Sequence, residues 1–442
     1  MRRSTVFALT LCPLLALTAC TPEEPPAQAP GSVRLYGTDG NMRNAVGEPV
    51  GKAEPGLLTG MKGTSPLTPL SESFIARLRA IDPKLQDLGY AGEAYDAVVI
   101  MALAVQLART TEAKVVKNYI NGVTIGGKLC RDAVECLELA RKGTDLQYRG
   151  ITVKSGFKDA GEPSTTSYGT LVFSTDSQIS KQLTEYIGAG SESAASTEAG
   201  PAPVKIAVPE KGAPLIIGGL TSITGTNAAA SPPQRAAAKL ALKEINDAGG
   251  VLGQPVQFLD GDDGTDVAKA KAALAQQVTA GARMFLGPSG SAVAKDLIPD
   301  AAARRVILFT PSATSTSLSG IDDDGYFFRT APSDELQARA LADIIMRDGP
   351  RRVSILFRND AYGEGLQKGV RQELIRAGVA EADLQSVSYE VPDKASDLQI
   401  PEQADRVKEF GPQAVLVIGL AESAYAILGL ATAGVDIDPR LS

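Results

Sequence analysis

Hydroxyl and carboxylate side chains that could hold a small charged solute recur at a few turns of this 442-residue chain, while the usual catalytic side chains are scarce. Gly287 to Ser291 joins a short apolar run to an amphipathic one. A strand that feeds a helix there would aim backbone N–H groups and the Ser291 hydroxyl at an anion. Thr310 to Thr314 closes the next apolar run, and the Ser312 backbone with the Thr314 hydroxyl could grip both ends of a zwitterion. The plainer reading of these residues is N-capping and turn formation. Asp39 follows another apolar run and offers a counter-charge to an ammonium group, although Asp39-Gly40 also reads as a turn pair.

Catalysis finds little support. The chain has no histidine, which removes the commonest general base and the commonest metal ligand. Asp39, Glu93 and Asp360 could form a carboxylate pair, but no nucleophile elbow or phosphate loop accompanies them. We therefore expect no enzyme, no catalytic residue, no metal and no cofactor. A net charge of -7 with no basic stripe argues against nucleic acid.

The first residues address location. Arg2 and Arg3 precede the apolar run Val6–Leu17, which is too short to span a hydrocarbon core of ~30 Å and reads as an export signal. It ends in Leu17-Thr18-Ala19-Cys20, which resembles a bacterial lipoprotein cleavage box. That resemblance implies a lipid-modified Cys20 and an extracytoplasmic, membrane-anchored chain. Residues 1–20 are thus the signal and residues 21–32, rich in Pro, Glu and Ala, a tether. Of the remaining cysteines, Cys130 and Cys136 lie close together in an exported chain, and a disulfide between them is expected.

From Pro214 onward, apolar runs alternate with amphipathic ones. Strands are expected at 215–220, 256–259, 283–286 and 306–310, with helices at 233–247, 267–280 and 292–304 between and after them. A second set follows the helix 334–347, with strands at 353–357, 385–390 and 414–418 and helices at 365–377, 401–410 and 422–433. Such alternation means parallel sheets covered on both faces. The fold class is α/β, with two doubly wound parallel-sheet lobes joined by a hinge.

Several short motifs then carry a resemblance. Gly249-Gly250-Val251-Leu252-Gly253-Gln254-Pro255-Val256, Phe285-Leu286-Gly287-Pro288-Ser289-Gly290-Ser291 and Thr310-Pro311-Ser312-Ala313-Thr314 resemble early segments of the leucine/isoleucine/valine-binding protein family. Phe328-Arg329-Thr330 and Tyr362-Gly363-Glu364-Gly365 are similar to its lobe-crossing motifs. Tyr36-Gly37-Thr38-Asp39-Gly40 and Tyr90-Ala91-Gly92-Glu93-Ala94-Tyr95-Asp96 look like motifs of that family's later portion.

The resemblance implies a type 1 periplasmic binding fold with its halves in permuted order, since the segments matching 214–442 come first in the family. Joining Ser442 to Val33 would give a sensible helix-to-strand connection. Residues 33–60 and 166–190 are then expected in one lobe with 350–442. Residues 61–165 are expected in the other lobe with 214–349. The Ala/Ser/Gly/Pro-rich stretch 191–213 is expected as a flexible linker.

The resemblance also tips the turn residues toward ligand contact. Ser291, Ser312, Thr314 and Asp39 would bind an amino acid or amide, Tyr90 would add ring surface, and Glu93 and Tyr362 would lie near the same cleft. Ala230 and Ala421 stand where the family often places aromatic contacts. The implied function is solute capture and delivery to an ABC permease by a monomeric, lipid-anchored protein. The alternative is a ligand-sensing receptor of the same fold that signals to a membrane partner.

Overall fold

Short runs of branched and aromatic side chains, buried on both faces, decide the architecture; β-strand Ala414–Ile418, for example, is buried at every position. The computed structural model describes residues 32–205 and 212–438, so the signal, Cys20 and most of the tether lie outside the described residues. The first half supplies β1 Arg34–Gly37, β2 Lys62–Pro66, β3 Lys128–Cys130, β4 Leu146–Tyr148, β5 Thr165–Val172 and β6 Glu185–Gly190. The second half supplies β7 Ile216–Gly219, β8 Gln257–Leu259, β9 Met284–Leu286, β10 Ile307–Thr310 and β11 Phe327–Arg329. It ends with β12 Val353–Arg358, β13 Leu384–Tyr389 and β14 Ala414–Ile418.

Two main sheets result. The larger has seven strands in the order β13-β12-β14-β1-β2-β5-β6, and the smaller has five in the order β11-β10-β9-β7-β8. The smaller sheet is parallel throughout. In the larger sheet only the β2–β5 and β5–β6 pairings are antiparallel. This hairpin edge was not foreseen from the alternation of runs.

β1 inserts between β14 and β2, parallel to both. Just before it, the Val33 N–H donates to the Asp436 carbonyl at 2.7 Å, and the Asp438 N–H donates to the Val33 carbonyl at 2.9 Å.

Two segment boundaries and the character of one stretch differ from expectation. β2 pairs with β1 and β5, so the chain leaves the larger-sheet lobe after Pro66 and not at residue 61. The helix Asp334–Arg347 belongs to the larger-sheet lobe, not to a segment 214–349 of the other. Its stripe Ala338, Leu341, Ala342 and Ile345 shares a core with Val353, Ile355 and Tyr36, which places the crossing just ahead of Asp334. The stretch 191–213 was expected to be flexible, yet its described part is seated on the body. The Ser196 N–H donates to the Phe157 carbonyl at 2.8 Å and the Val204 N–H to the Leu107 carbonyl at 3.0 Å.

The helix Ala91–Ala108 is long and apolar enough to cross a membrane, but every residue of it is buried inside the protein. It shares a core with the helix Ser231–Asp247 and the smaller sheet. Its one fully buried carboxylate on the face toward 148–153, Asp96, accepts from the Tyr148 hydroxyl and from the N–H groups of Ile151, Thr152 and Val153 at 2.7–3.0 Å. Cys130 and Cys136 form a disulfide with a Cα–Cα separation of 5.4 Å, pinning β3 to the helix Ala133–Arg141.

Arg329, at the end of β11, organises the segment that crosses between lobes. Its Nε donates to Glu162 Oε2 at 2.9 Å and its Nη1 to the carbonyls of Ala313 and Ser315 at 3.2 and 3.0 Å. Nη2 donates to the Ser319 hydroxyl at 2.6 Å. Both charged side chains are almost completely buried, at 1% and 4% exposure. Removing one partner of such a pair strands the other, at a cost of about 3–5 kcal/mol. Glu162→Ala should therefore lower the urea-unfolding free energy by roughly that amount; a loss within experimental error would mean that the pair does not brace the crossing.

Candidate functional site

In parallel α/β sheets the carboxyl ends of strands meet helix N-termini, and ligands bind there. The carboxyl ends of the two sheets here face each other across a cavity of ≈ 350 Å³. Ser291, Ser312 and Thr314 line it from the smaller-sheet lobe, and Asp39 and Tyr362 from the larger. Tyr90, which precedes the helix Ala91–Ala108, completes the group. Glu93, one turn further along that helix, is buried behind the wall, where its backbone carbonyl accepts from the Thr330 hydroxyl at 2.9 Å.

Two glycines make the close approach of these turns possible. Gly287 has φ +117, and a Cβ there would stand 2.0 Å from the Leu220 carbonyl oxygen. At Gly40 a Cβ would stand 2.3 Å from the Gly419 carbonyl oxygen, so only glycine lets β1 and β14 end side by side.

Asp39 presents a buried carboxylate gripped from two directions. Tyr90 donates to Oδ2 at 2.6 Å and Tyr362 donates to Oδ1 at 2.7 Å. Burial first, and the Asp39 charge second, push both phenols well above their ordinary range, so both stay protonated donors. Tyr90 reaches this position with φ 62, a left-handed conformation that costs a non-glycine residue about 1–3 kcal/mol. Arg43 lies over the Tyr90 ring at 5.8 Å and donates from Nε to the Asp39 carbonyl at 3.1 Å.

The opposite wall has free donors. The helix Ser291–Arg304 is preceded by Gly290, so no side chain caps its first N–H groups. The Ser291 oxygen accepts from the Ser315 N–H at 3.1 Å, which leaves its own proton available. Ser312 is different: its hydroxyl donates to the Ser289 carbonyl at 2.9 Å and accepts from Gln234 at 3.0 Å, so it holds the turn. The Thr314 hydroxyl is buried and has no hydrogen-bond partner among the described residues.

Several wall residues escaped the motif search. Asn227, Thr265, Asn359, Glu390 and Leu420 all line the cavity. Asn359 and Glu390 directly follow β12 and β13, so the rule that placed Asp39 after β1 could have found them. Ala230 lines the cavity, whereas at the second alanine position it is the neighbour Leu420 that does so, not Ala421.

Two further carboxyls are buried beside the cavity. Asp334 is held well above the ordinary carboxylate range by burial and then by the Asp39 charge, and Thr314 and Arg329 offset this only in part. Burial pushes Glu93 up to about 8, its own backbone N–H opposing the rise and Asp96 adding to it. A raised carboxyl stabilises the fold in its protonated form. That contribution is fully present below its ordinary 4.5 and is lost as pH climbs toward about 8. The slope is at most about 1.4 kcal/mol per pH unit. Glu93→Gln should accordingly flatten the fall in Tm between about pH 5 and pH 8; a parallel fall in the variant would assign it to other groups.

The "Periplasmic binding protein" family model matches residues 214–439, just over half of the chain. Relatives include the Leu/Ile/Val-binding protein homolog 3 of Brucella melitensis, 28% identical over 179 residues, which are 40% of this chain and 48% of that protein. Leu/Ile/Val-binding protein BraC3 of Rhizobium johnstonii is 31% identical over 172 residues, 38% of this chain and 46% of that protein. The chain thus spans about half the length of these relatives. Among solved structures, an extracellular ligand-binding receptor from Rhodopseudomonas palustris HaA2 matches at 23% identity and a TM-score of 0.42, covering 50% of this chain and 59% of that one.

Proposed function

Because this chain belongs to the type 1 periplasmic binding protein family, we propose that it is a solute receptor, not an enzyme, that captures a small amino-acid-like ligand between its lobes. The observation that carries this reading is the opposition of charges across one cavity. Asp39, gripped by Tyr362 of its own lobe and by Tyr90 from the start of the helix Ala91–Ala108 in the other, stands on one side, and the uncapped helix start at Ser291 with the unpartnered Thr314 hydroxyl stands on the other. A ligand carboxylate docks on the N–H groups that begin at Ser291, where the helix dipole favours an anion. Its ammonium docks on Asp39, with the Thr314 hydroxyl as a second acceptor.

Closure follows from where the contacts sit. The carboxylate and ammonium sites belong to different lobes, so only the closed arrangement makes both contacts, and ligand shifts the population toward it. The crossing segments at 67–70, 161–165 and 330–333 are the elements that would bend. The closed protein is then read by an ABC permease, with Cys20, which lies outside the described residues, as the lipid anchor. The names of the relatives, which are Leu/Ile/Val-binding proteins, support an amino-acid cargo.

Segment order is part of the proposal. The Val33 contacts with Asp436 and Asp438, and the insertion of β1 beside β14, support a family fold whose last strands have moved ahead of its first.

Three measurements test these statements. In titration calorimetry with a panel of amino acids and amides, at least one should bind more tightly than millimolar, and Asp39→Asn should weaken it at least tenfold. Equal affinity in the variant would remove Asp39 from the ammonium site. A reordered gene encoding 214–438 followed by 33–190 should fold with a Tm within a few degrees of the original; failure to fold would count against the permuted reading. Cys20→Ala should move the protein from the membrane fraction to the soluble one.

A further inference from the structure

We infer that the cavity is shaped for a solute with a second positive charge at the far end of its chain, a basic amino acid in preference to a branched aliphatic one. This rests on the reading of Asp39 as the ammonium site, and it comes from what lies at the other end of the same wall.

The larger sheet sets the geometry. Its neighbouring strands run β13-β12-β14-β1, and each presents a cavity residue just past its carboxyl end. In that order these are Glu390, Asn359, Leu420 and Asp39. Strands lie about 4.8 Å apart, so three steps separate the Asp39 and Glu390 positions by about 14 Å. In an extended lysine the two nitrogens are about 7.5 Å apart by standard bond lengths. With one charge-assisted hydrogen bond of about 2.8 Å at each end, the ligand spans about 13 Å. A leucine side chain ends in methyl groups near the middle of this span and leaves Glu390 unmet.

The charges agree with the length. Arg358, which lines this end of the wall, is already claimed by two carboxylates, with Nε on Asp360 at 2.6 Å and Nη1 on Glu422 at 2.8 Å. Glu390 accepts only a neutral amide proton, from Asn359 at 2.7 Å, and has no ion pair among the described residues. The far end of the wall therefore carries Arg358 with two lining carboxylates, Asp360 and the exposed Glu390, and the buried Glu422 lies behind them. Across the cavity, Asn227 and Thr265 are neutral polar groups, and Ala230 contributes no ring to close the space around a short aliphatic side chain. Leu420, midway, offers apolar surface to the methylenes of a long chain.

Titration calorimetry of the purified protein with L-lysine, L-arginine, L-glutamine and L-leucine at low ionic strength tests the inference. Lysine or arginine should bind at least tenfold more tightly than leucine. Glu390→Gln should weaken the basic ligand at least tenfold while changing glutamine by less than threefold. Leucine binding as tightly as lysine and arginine, or a basic ligand indifferent to Glu390→Gln, overturns this inference and leaves the amino-acid receptor standing. If none of the four binds, this inference fails, while the receptor reading fails only if the wider panel of amino acids and amides is silent as well.

Discussion

Parallel pairing of β1 between β14 and β2 is the contact on which the site depends. It joins residues near 35 to residues near 415 in one hydrogen-bonded sheet, so the turn after β1 emerges beside the turns after β14 and β12. Asp39 reaches the cleft only because of that placement. The Gly40 and Gly419 backbones then approach so closely that any side chain at Gly40 would push the two strand ends apart. A sheet built from segments this distant in sequence must pay loop-closure entropy before its contacts form, and the apolar runs of β12 and β14, buried at nearly every position, supply the offset.

The cleft concentrates acids that are stabilised in different ways. Asp96 collects backbone N–H groups and a phenol, which is the arrangement of a structural carboxylate. Asp39 has two phenol donors and an outlook onto the cavity. Asp334 is buried with only the Thr314 side chain and the Arg329 charge favouring its ionised form, and it sits close enough to Asp39 to feel its charge. Two carboxylates that share a buried region cannot both ionise cheaply. Burial and then the Asp39 charge hold Asp334 well above the ordinary carboxylate range, while both tyrosines spend their protons on Asp39.

Much of the fold was legible because parallel strands buried on both faces leave continuous apolar runs, and the helix stops such as Gly249-Gly250 are explicit. The helix Asp334–Arg347 has the same bounds in sequence and structure, yet its lobe did not follow from its pattern. An apolar stripe says that a helix packs and not against which sheet. For the same reason the hairpin β5–β6 was missed: Thr, Ser and Gly are frequent in those strands, and an antiparallel edge with one wet face leaves no continuous run. The described part of 191–213 reads as linker by composition, but a Gly200–Gly122 approach and a few backbone bonds hold it, and such contacts have no signature in composition.

The site divides along similar lines. Ser312 and Thr314 come from one turn and look equivalent as residues, yet one hydroxyl is consumed by the Ser289 carbonyl and Gln234 while the other is left unpaired. Whether a hydroxyl serves the turn or faces the cavity depends on the neighbour that reaches it first, and here that neighbour is Gln234, from a helix some eighty residues away in sequence. Glu93 shows the converse. It begins a helix at the cleft, but Tyr90 ahead of it adopts the left-handed conformation, and the turn takes the tyrosine into the cavity and leaves the glutamate behind the wall. A single backbone torsion therefore selects which of two chemically plausible residues meets the ligand, and the glycine that would adopt that torsion freely is replaced by the one residue whose hydroxyl completes the grip on Asp39.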